Sequence, residues 1–353
     1  MNTSDSERDL VVRTVQDILD ATATTAHGER PERWDAELWG LLADSDMTGV
    51  GLPESAGGAG GTYGDAAAIV GCLAAGGAAV PLAEHLLVVA PVLAGTSLAP
   101  ADLSVPVTFA GGGRAVADGA GHYRLSGELP DVPWADVATQ VAVLARTGTA
   151  GHSVLVLSPT LGAVTKTSYN LADEPRATLD FHDARLAGIP LTAPQAAAVE
   201  ARMALARAVQ LTGALQRVFD WTCEYARERV QFGRTLSAFP AVRTDLVRMA
   251  GEVTAVTALT DAAVDAAAHD RDLLPAAAAA KIRAGAAVEI VARSAHQIHG
   301  AIGFTREHRL HHLTRRLWAW REEAGTERHW SEVLARRLRP AHEGLWPLLV
   351  NAV

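Results

Sequence analysis

Arg229-Val-Gln-Phe-Gly-Arg-Thr-Leu-Ser-Ala-Phe239 interrupts a long helical pattern, and the fold is read outward from it. Before it, from Arg202 to Arg229, Leu205, Val209, Leu215, Phe219, Thr222 and Ala226 fall on one helical stripe. After it, Leu246, Met249, Val253, Val256, Leu259 and Ala263 repeat the pattern in a second helix. Pro275 opens a third helix, since proline is tolerated in a first turn, and Gly300 stops it. Leu310, Leu313 and Leu317 mark a fourth helix, and Trp330, Leu334 and Leu338 a fifth. Amphipathic helices of this length with short links predict an antiparallel bundle over 191–353.

Further upstream the period changes. Val105–Phe109, Val141–Leu144 and Ser153–Leu157 are short apolar or β-branched runs. Gly111–Gly113, Gly119–Gly121 and Gly148–Gly151 punctuate them, which predicts a small β domain over 101–190. Residues 1–100 read as an N-terminal helical domain. Ser4 and Glu7 give an S-x-x-E start, followed by Leu10, Val11, Val15, Ile18 and Leu19; Trp34, Leu38, Leu41 and Leu42 give a second helix. Between the helices Val50–Gly61 is glycine-rich. It lacks the G-K-[ST] and the strand–turn–helix context of a phosphate cradle, so it reads as a flexible connection. Helix, β and helix in blocks predict a mainly α chain with a β domain.

The 353 residues carry 31 basic and 40 acidic side chains, a net charge of −9, which argues against nucleic acid as a partner. Two cysteines, Cys72 and Cys223, exclude a disulfide framework or cysteine-rich zinc site and read as buried thiols. Lys166 and Lys281 are the only lysines. The N-terminus is polar, and the most apolar stretch, Val80–Ala94, is broken by Pro81, Glu84, His85 and Pro91. Neither a signal peptide nor a membrane span is expected, and the expected setting is cytoplasmic.

The stretch Arg229–Phe239, together with Gln297-Ile-His-Gly-Ala-Ile-Gly-Phe-Thr305, resembles the acyl-CoA dehydrogenase family. Gly51-Leu-Pro-Glu54 and the order α domain, β domain, α bundle resemble it too. The resemblance implies a small β-barrel for the middle domain, FAD as cofactor and an acyl-CoA as substrate. It implies that Arg229, Gln231 and Phe232 contact the pyrophosphate–adenine part of an FAD bound mainly by a neighbouring subunit. A guanidinium at a helix end suits a diphosphate; its alternative role is to offset the helix dipole. Gln297, Gly300 and Ala301 match the family's second FAD-contacting segment, with Ala301 where a second glycine is usual.

Departures from the family are as informative. The family's usual catalytic base is a glutamate directly before Gly-Thr; here Gly325 and Thr326 match, but Ala324 stands at the base position. Glu323 is one residue away. An alternative base position falls near Met203, with Glu200 the nearest carboxylate. The flavin-contacting stretch of the β domain is reduced to Thr108 within Val107–Arg114, and Val132-Pro-Trp-Ala-Asp136 is either a remnant of a second flavin segment or a turn with a packed indole.

This pattern resembles the glutamate-lacking partner subunits of actinobacterial heteromeric acyl-CoA dehydrogenases that degrade sterol side chains. It implies a heterotetramer with a paralogous catalytic subunit. The alternatives are a homotetrameric dehydrogenase with a displaced base, a flavin-dependent oxidase or monooxygenase, and a scaffold without flavin. Among His296, His299, His308, His311 and His312, the i,i+4 pair His308 and His312 could hold a metal. The segment otherwise reads as a polar helix with Arg306, Arg309, Arg315 and Arg316 on a solvated face or facing a CoA phosphate or acidic partner. Trp318, Trp320 and Trp330 read as packing residues.

Overall fold

The computed structural model describes residues 3–22, 33–148, 153–158, 162–305 and 307–338. The side chains of Ser4, Glu7 and Leu338, the turn at 149–151 and Arg306 lie outside the described residues.

The five expected C-terminal helices are present: α6 (Ala193–Glu228), α7 (Pro240–Ala268), α8 (Leu273–His299), α9 (Leu310–Glu322) and α10 (Glu327–Leu338). Helix α6 starts earlier than its apolar stripe suggests. A reciprocal cap fixes the start, with the Thr192 side chain accepting from Gln195 N and the Gln195 side chain accepting from Thr192 N. Its 36 residues make it about 54 Å long at 1.5 Å per residue. Gly300 ends α8 at φ 64, a conformation that suits glycine. Leu211, Leu215, Val218, Val253, Val288, Val291, Leu313 and Leu317 meet inside the bundle.

The N-terminal helices are α1 (Thr3–Ala21), α2 (Ala36–Asp44), α3 (Tyr63–Ala75), α4 (Leu82–Glu84) and α5 (Ala90–Leu93), with a π turn (His85–Val89) joining α4 to α5. Among the described residues no helix is long and apolar enough to cross a membrane. Helix α3 crosses α6 where Gly213 faces Gly71, and a Cβ on Gly213 would overlap the Gly71 carbonyl. The link at 50–61 is more ordered than the flexible connection expected from its glycines. Gly51 N donates to Gly60 O at 2.8 Å, Gly60 N to Leu52 O at 2.9 Å and Ala59 N to Gly49 O at 2.9 Å.

Six strands, β1 (Val107–Ala117), β2 (His122–Pro133), β3 (Gln140–Thr147), β4 (Ser153–Ser158), β5 (Ala163–Tyr169) and β6 (Pro175–Leu191), follow the order β2-β1-β3-β4-β6-β5. An added β2–β6 pairing closes the ring, so the middle region is a small barrel with β5 flanking β6. Strands β1 and β3 are parallel; the other pairs are antiparallel. Leu125, Leu129, Val143, Val154, Val156, Leu179 and Phe181 fill the barrel.

His85 joins the N-terminal helices to the barrel. Its Nδ1 accepts from Val107 N at 3.4 Å, so its Nε2–H is left to donate to Thr48 O at 3.2 Å. Burial lowers this imidazole to about 4, against the opposing pull of the Thr48 carbonyl.

Candidate active site

A cavity of about 460 Å³ opens where barrel, bundle and the α9–α10 turn meet. Phe109, Val132, Pro133, Met203 and Trp330 give it apolar walls; Arg176, Arg207 and Glu323 form a charged wall, and Asp131, Glu200, Glu322 and His329 also line it. The charged wall belongs to a buried network. Arg207, only 2% exposed, donates Nη2 to Glu84 Oε1 at 2.5 Å, Nη1 to Gln210 Oε1 at 2.7 Å and Nε to Glu323 Oε2 at 2.9 Å. Arg176 donates Nη2 to Glu323 and to Glu174 (3.2 Å), and Nη1 to Pro175 O at 2.8 Å. Asn170 Nδ2 bridges Glu323 (3.0 Å) and Glu174 (2.9 Å). Trp320 Nε1 donates to Glu174 at 3.0 Å, and Arg316 pairs with it at 3.7 Å.

Glu323 is therefore fully engaged. Burial pushes its carboxyl upward, but the Arg176 and Arg207 guanidiniums outweigh burial and hold it at about 2. A carboxylate so strongly stabilised in its ionised form is a weak base. Ala324 follows at φ 53 and Gly325 at φ 90, two successive left-handed residues. The fully buried Lys281 fixes this turn from α8, with Nζ donating to Arg321 O at 2.7 Å and Gly325 O at 2.8 Å. Trp330 Nε1 donates to Ala324 O at 2.8 Å. Thr326 opens α10, its Oγ1 accepting from His329 N at 3.4 Å. Burial lowers the Lys281 ammonium to about 8, against the pull of Glu327. Glu200 and Met203, near the alternative base position, both reach the cavity, and Glu200 is exposed.

The remaining sequence-predicted residues lie elsewhere, at the far end of α6. Arg229 caps that helix, about 33 Å from Arg207 along its axis at 1.5 Å per residue. A two-stranded hairpin follows, β7 (Val230–Gln231) and β8 (Arg234–Thr235), turning through Phe232 (φ 50) and Gly233 (φ 76). Phe232 is 92% exposed at its tip. The Arg234 guanidinium stacks over Phe239 at 4.0 Å. Gln297, Gly300 and Ala301 end α8 at the same end of the bundle, because Tyr225 of α6 stacks on His299 at 4.4 Å. Arg229, Gln231 and Gln297 are exposed and make no side-chain hydrogen bond or ion pair among the described residues.

Several expectations change. Arg315 and Arg316 do not form a solvated face. Arg315 ties to Leu171 O at 2.8 Å and to Asp173, Arg316 is buried against Glu174, and Arg309 pairs with Glu224 and stacks over Trp221. The histidines stack on aromatic rings, His296 on Phe304 and His299 on Tyr225; among the described residues no group of three or more His, Cys, Asp or Glu could hold a metal. Cys72 and Cys223 are half-buried free thiols rather than fully buried ones. Trp320 and Trp330 are buried as expected. Trp134 is buried at a left-handed turn (φ 58), which favours the packed indole, and the buried Thr108 hydroxyl donates to Pro133 O at 2.6 Å. The sequence reading missed Arg207 and Lys281. Each interrupts an alanine-rich helical run, which is the available signal for a buried charge.

Residues 195–339 match the family model for the acyl-CoA dehydrogenase C-terminal domain, and residues 5–98 that for the N-terminal domain. Acyl-CoA dehydrogenase FadE27 of Mycobacterium tuberculosis is 30% identical over 336 residues, covering 84% of this chain and 87% of its own. Acyl-CoA dehydrogenase IpdE2 of the same organism is 28% identical, covering 79% of each. The ChsE4–ChsE5 complex from M. tuberculosis superposes with a TM-score of 0.85 at 24% identity, over 95% of this chain and 97% of that chain. A Tcur3481–Tcur3483 steroid ACAD variant gives 0.84 at 24%, over 96% and 99%. With both terminal regions matched, and a relative this similar along most of its length, the chain belongs to the acyl-CoA dehydrogenase family.

Proposed function

We propose that this chain is the non-catalytic subunit of a cytoplasmic, heteromeric acyl-CoA dehydrogenase that acts on a bulky, sterol-side-chain-like acyl-CoA. It completes an FAD site across the subunit interface and leaves proton abstraction to a paralogous partner. The observation that carries the reading is at the α9–α10 turn: residue 324 is alanine, and its only neighbouring carboxylate in the cavity wall that could substitute by a one-residue shift, Glu323, is held by two arginines. A general base must accept a proton near the working pH, and a carboxyl at about 2 lies far below it. Relatives at the level of FadE27 and IpdE2, and structural neighbours that are two-subunit complexes, support the reading.

The residues fit one part of FAD and not the other. At the bundle end, Arg229, Gln231, Gln297 and the exposed Phe232 offer a cation, two amides and an aromatic face to a pyrophosphate and adenine. In the cavity, the Thr108 hydroxyl is spent on Pro133 O, Trp134 is packed away, and Pro130 and Pro133 have no N–H to give a flavin ring. The axial separation of about 33 Å keeps Arg229 from serving the cavity of its own chain. In such a complex FAD supplies the hydride acceptor. This chain's part is to bind the nucleotide end and exclude water there.

The test is flavin stoichiometry. The pure chain, saturated with FAD and desalted, is expected to retain well under one flavin per chain near 450 nm and to show no acyl-CoA turnover; co-expression with a glutamate-bearing paralogue restores both. One flavin per chain with turnover would overturn the reading. A second reading rests on Glu200, which reaches the cavity as a free carboxylate candidate for the base of a self-sufficient enzyme. Turnover by the pure chain that is lost in Glu200→Gln with flavin retained would establish it.

A further inference from the structure

Glu323 differs from the other charged members of its network. Arg176, Glu174, Arg207, Glu84 and Arg316 are 5% exposed or less, whereas Glu323 is 21% exposed toward the cavity. Each donor that meets Glu323 has a second acceptor of its own. Arg207 keeps Glu84 and Gln210, Arg176 keeps Glu174 and Pro175 O, and Asn170 keeps Glu174. Asn170 Oδ1 also accepts from Ala172 N at 2.9 Å and Glu174 N at 3.1 Å. The three donors are therefore held in place without Glu323.

The charges specify what belongs between the donors. Without Glu323, Arg207 keeps Glu84 and Arg176 keeps Glu174, which Arg316 also reaches, while Lys281 adds positive charge nearby, so a negative group is favoured between the donors. Asp131, Glu200 and Glu322 around the cavity oppose any further negative charge, and the walls beside the donors are apolar. Glu323 itself rides on the α9–α10 turn, followed by Ala324 at φ 53.

We infer that Arg176, Arg207 and Asn170 form a carboxylate-binding cradle that Glu323 fills in the free chain, and that a monocarboxylate with an apolar body, lodged in the adjoining cavity, takes its place. Two guanidiniums and an amide match a planar carboxylate, and a ligand acid makes the same contacts. The site uses no flavin and does not depend on which subunit carries the base.

Octanoate is the probe, with octanamide as its neutral counterpart, titrated calorimetrically into the full chain at matched ionic strength. Octanoate is expected to bind at least tenfold more tightly than octanamide and to raise hydrogen exchange of the 321–327 amides as Glu323 is released. Glu323→Ala removes the competitor and is expected to tighten octanoate at least tenfold; adding Arg176→Gln reverses the gain. If Glu323→Ala does not fold, Glu323→Gln, with its weaker hold on the arginines, is expected to tighten octanoate in the same direction. Equal binding of octanamide, no octanoate binding to the natural chain, or binding that leaves the exchange at 321–327 unchanged would each overturn the inference.

Discussion

Arg207→Met tests whether the buried network holds the three regions of the chain together. The methionine keeps most of the side-chain volume but removes the charge and all three hydrogen bonds, to Glu84, Gln210 and Glu323. Glu84 would then lose its arginine, since Arg176 and Arg316 pair with Glu174 and Glu323, leaving the Glu84 carboxylate uncompensated in a site that is almost fully buried. Removing one partner of a buried ion pair costs about 3–5 kcal/mol, most of it the stranded charge. The unfolding entropy of a chain this size translates a 4 kcal/mol loss into a melting shift of roughly 5 °C. Urea unfolding of Arg207→Met, Glu84→Gln and the double variant separates the contributions. The double variant is expected to recover at least about 1 kcal/mol relative to the sum of the singles, because the second change removes the stranded charge. A cost below about 1 kcal/mol for Arg207→Met, or strict additivity, would refute the argument that this arginine is the hub.

Three further outcomes follow from the same geometry. Because the folded state keeps His85 neutral down to about pH 4 while the unfolded chain protonates near 6.5, stability should fall across that interval by about 3 kcal/mol. Urea midpoints of His85→Gln should show a flatter slope between pH 4 and 6.5, and parallel slopes would remove His85 as the cause. Lys281 acts with the same sign in an alkaline window: the folded ammonium loses its proton near 8 and the unfolded one near 10.5, so stability should rise with pH by about 3 kcal/mol over that window. Lys281→Met should abolish this rise; an unchanged alkaline profile counts against the assignment. Gly213→Ala should cost about 1–3 kcal/mol through overlap with the Gly71 carbonyl, whereas Gly71→Ala, whose Cβ would meet only Val209 at 3.9 Å, should cost nothing or stabilise slightly. Similar losses in both variants, by thermal melts, would contradict the crossing geometry.

The bundle was legible because its helices are long and their apolar stripes keep helical spacing through Leu205, Val209, Leu215 and on into Val253 and Leu317. The barrel was legible only where strands are buried on both faces. Strands β3 and β4 announce themselves as Val-Ala-Val-Leu and Val-Leu-Val-Leu. Strand β6 carries Arg176, Asp180, His182, Asp183 and Arg185 along 17 residues and hides among polar sequence. Its length makes closure of the ring possible, since it meets β5, β2 and β4 in turn. The network at the cavity was not legible at all. Its members, Glu84, Asn170, Glu174, Arg176, Arg207, Arg316 and Glu323, come from helices, a strand, the β5–β6 connection and the end of α9, and no spacing rule pairs residues that only the tertiary fold brings together.

That network explains why a one-residue displacement of a carboxylate changes its chemistry. Glu323 ends α9 with extended backbone, at φ −84 and ψ 156, while Ala324 is left-handed. Neighbouring residues in such different conformations project their side chains in different directions. The carboxylate of Glu323 turns to the arginines of barrel and bundle, and the methyl group of Ala324 remains among the cavity lining. A proton acceptor needs its lone pairs free and its ionised form only modestly stabilised; a structural counter-ion needs the opposite on both counts. The same two arginines that join the three regions therefore remove Glu323 as an effective base. The turn can serve as a clamp with this residue pattern, and in the proposed complex proton abstraction falls to the partner subunit.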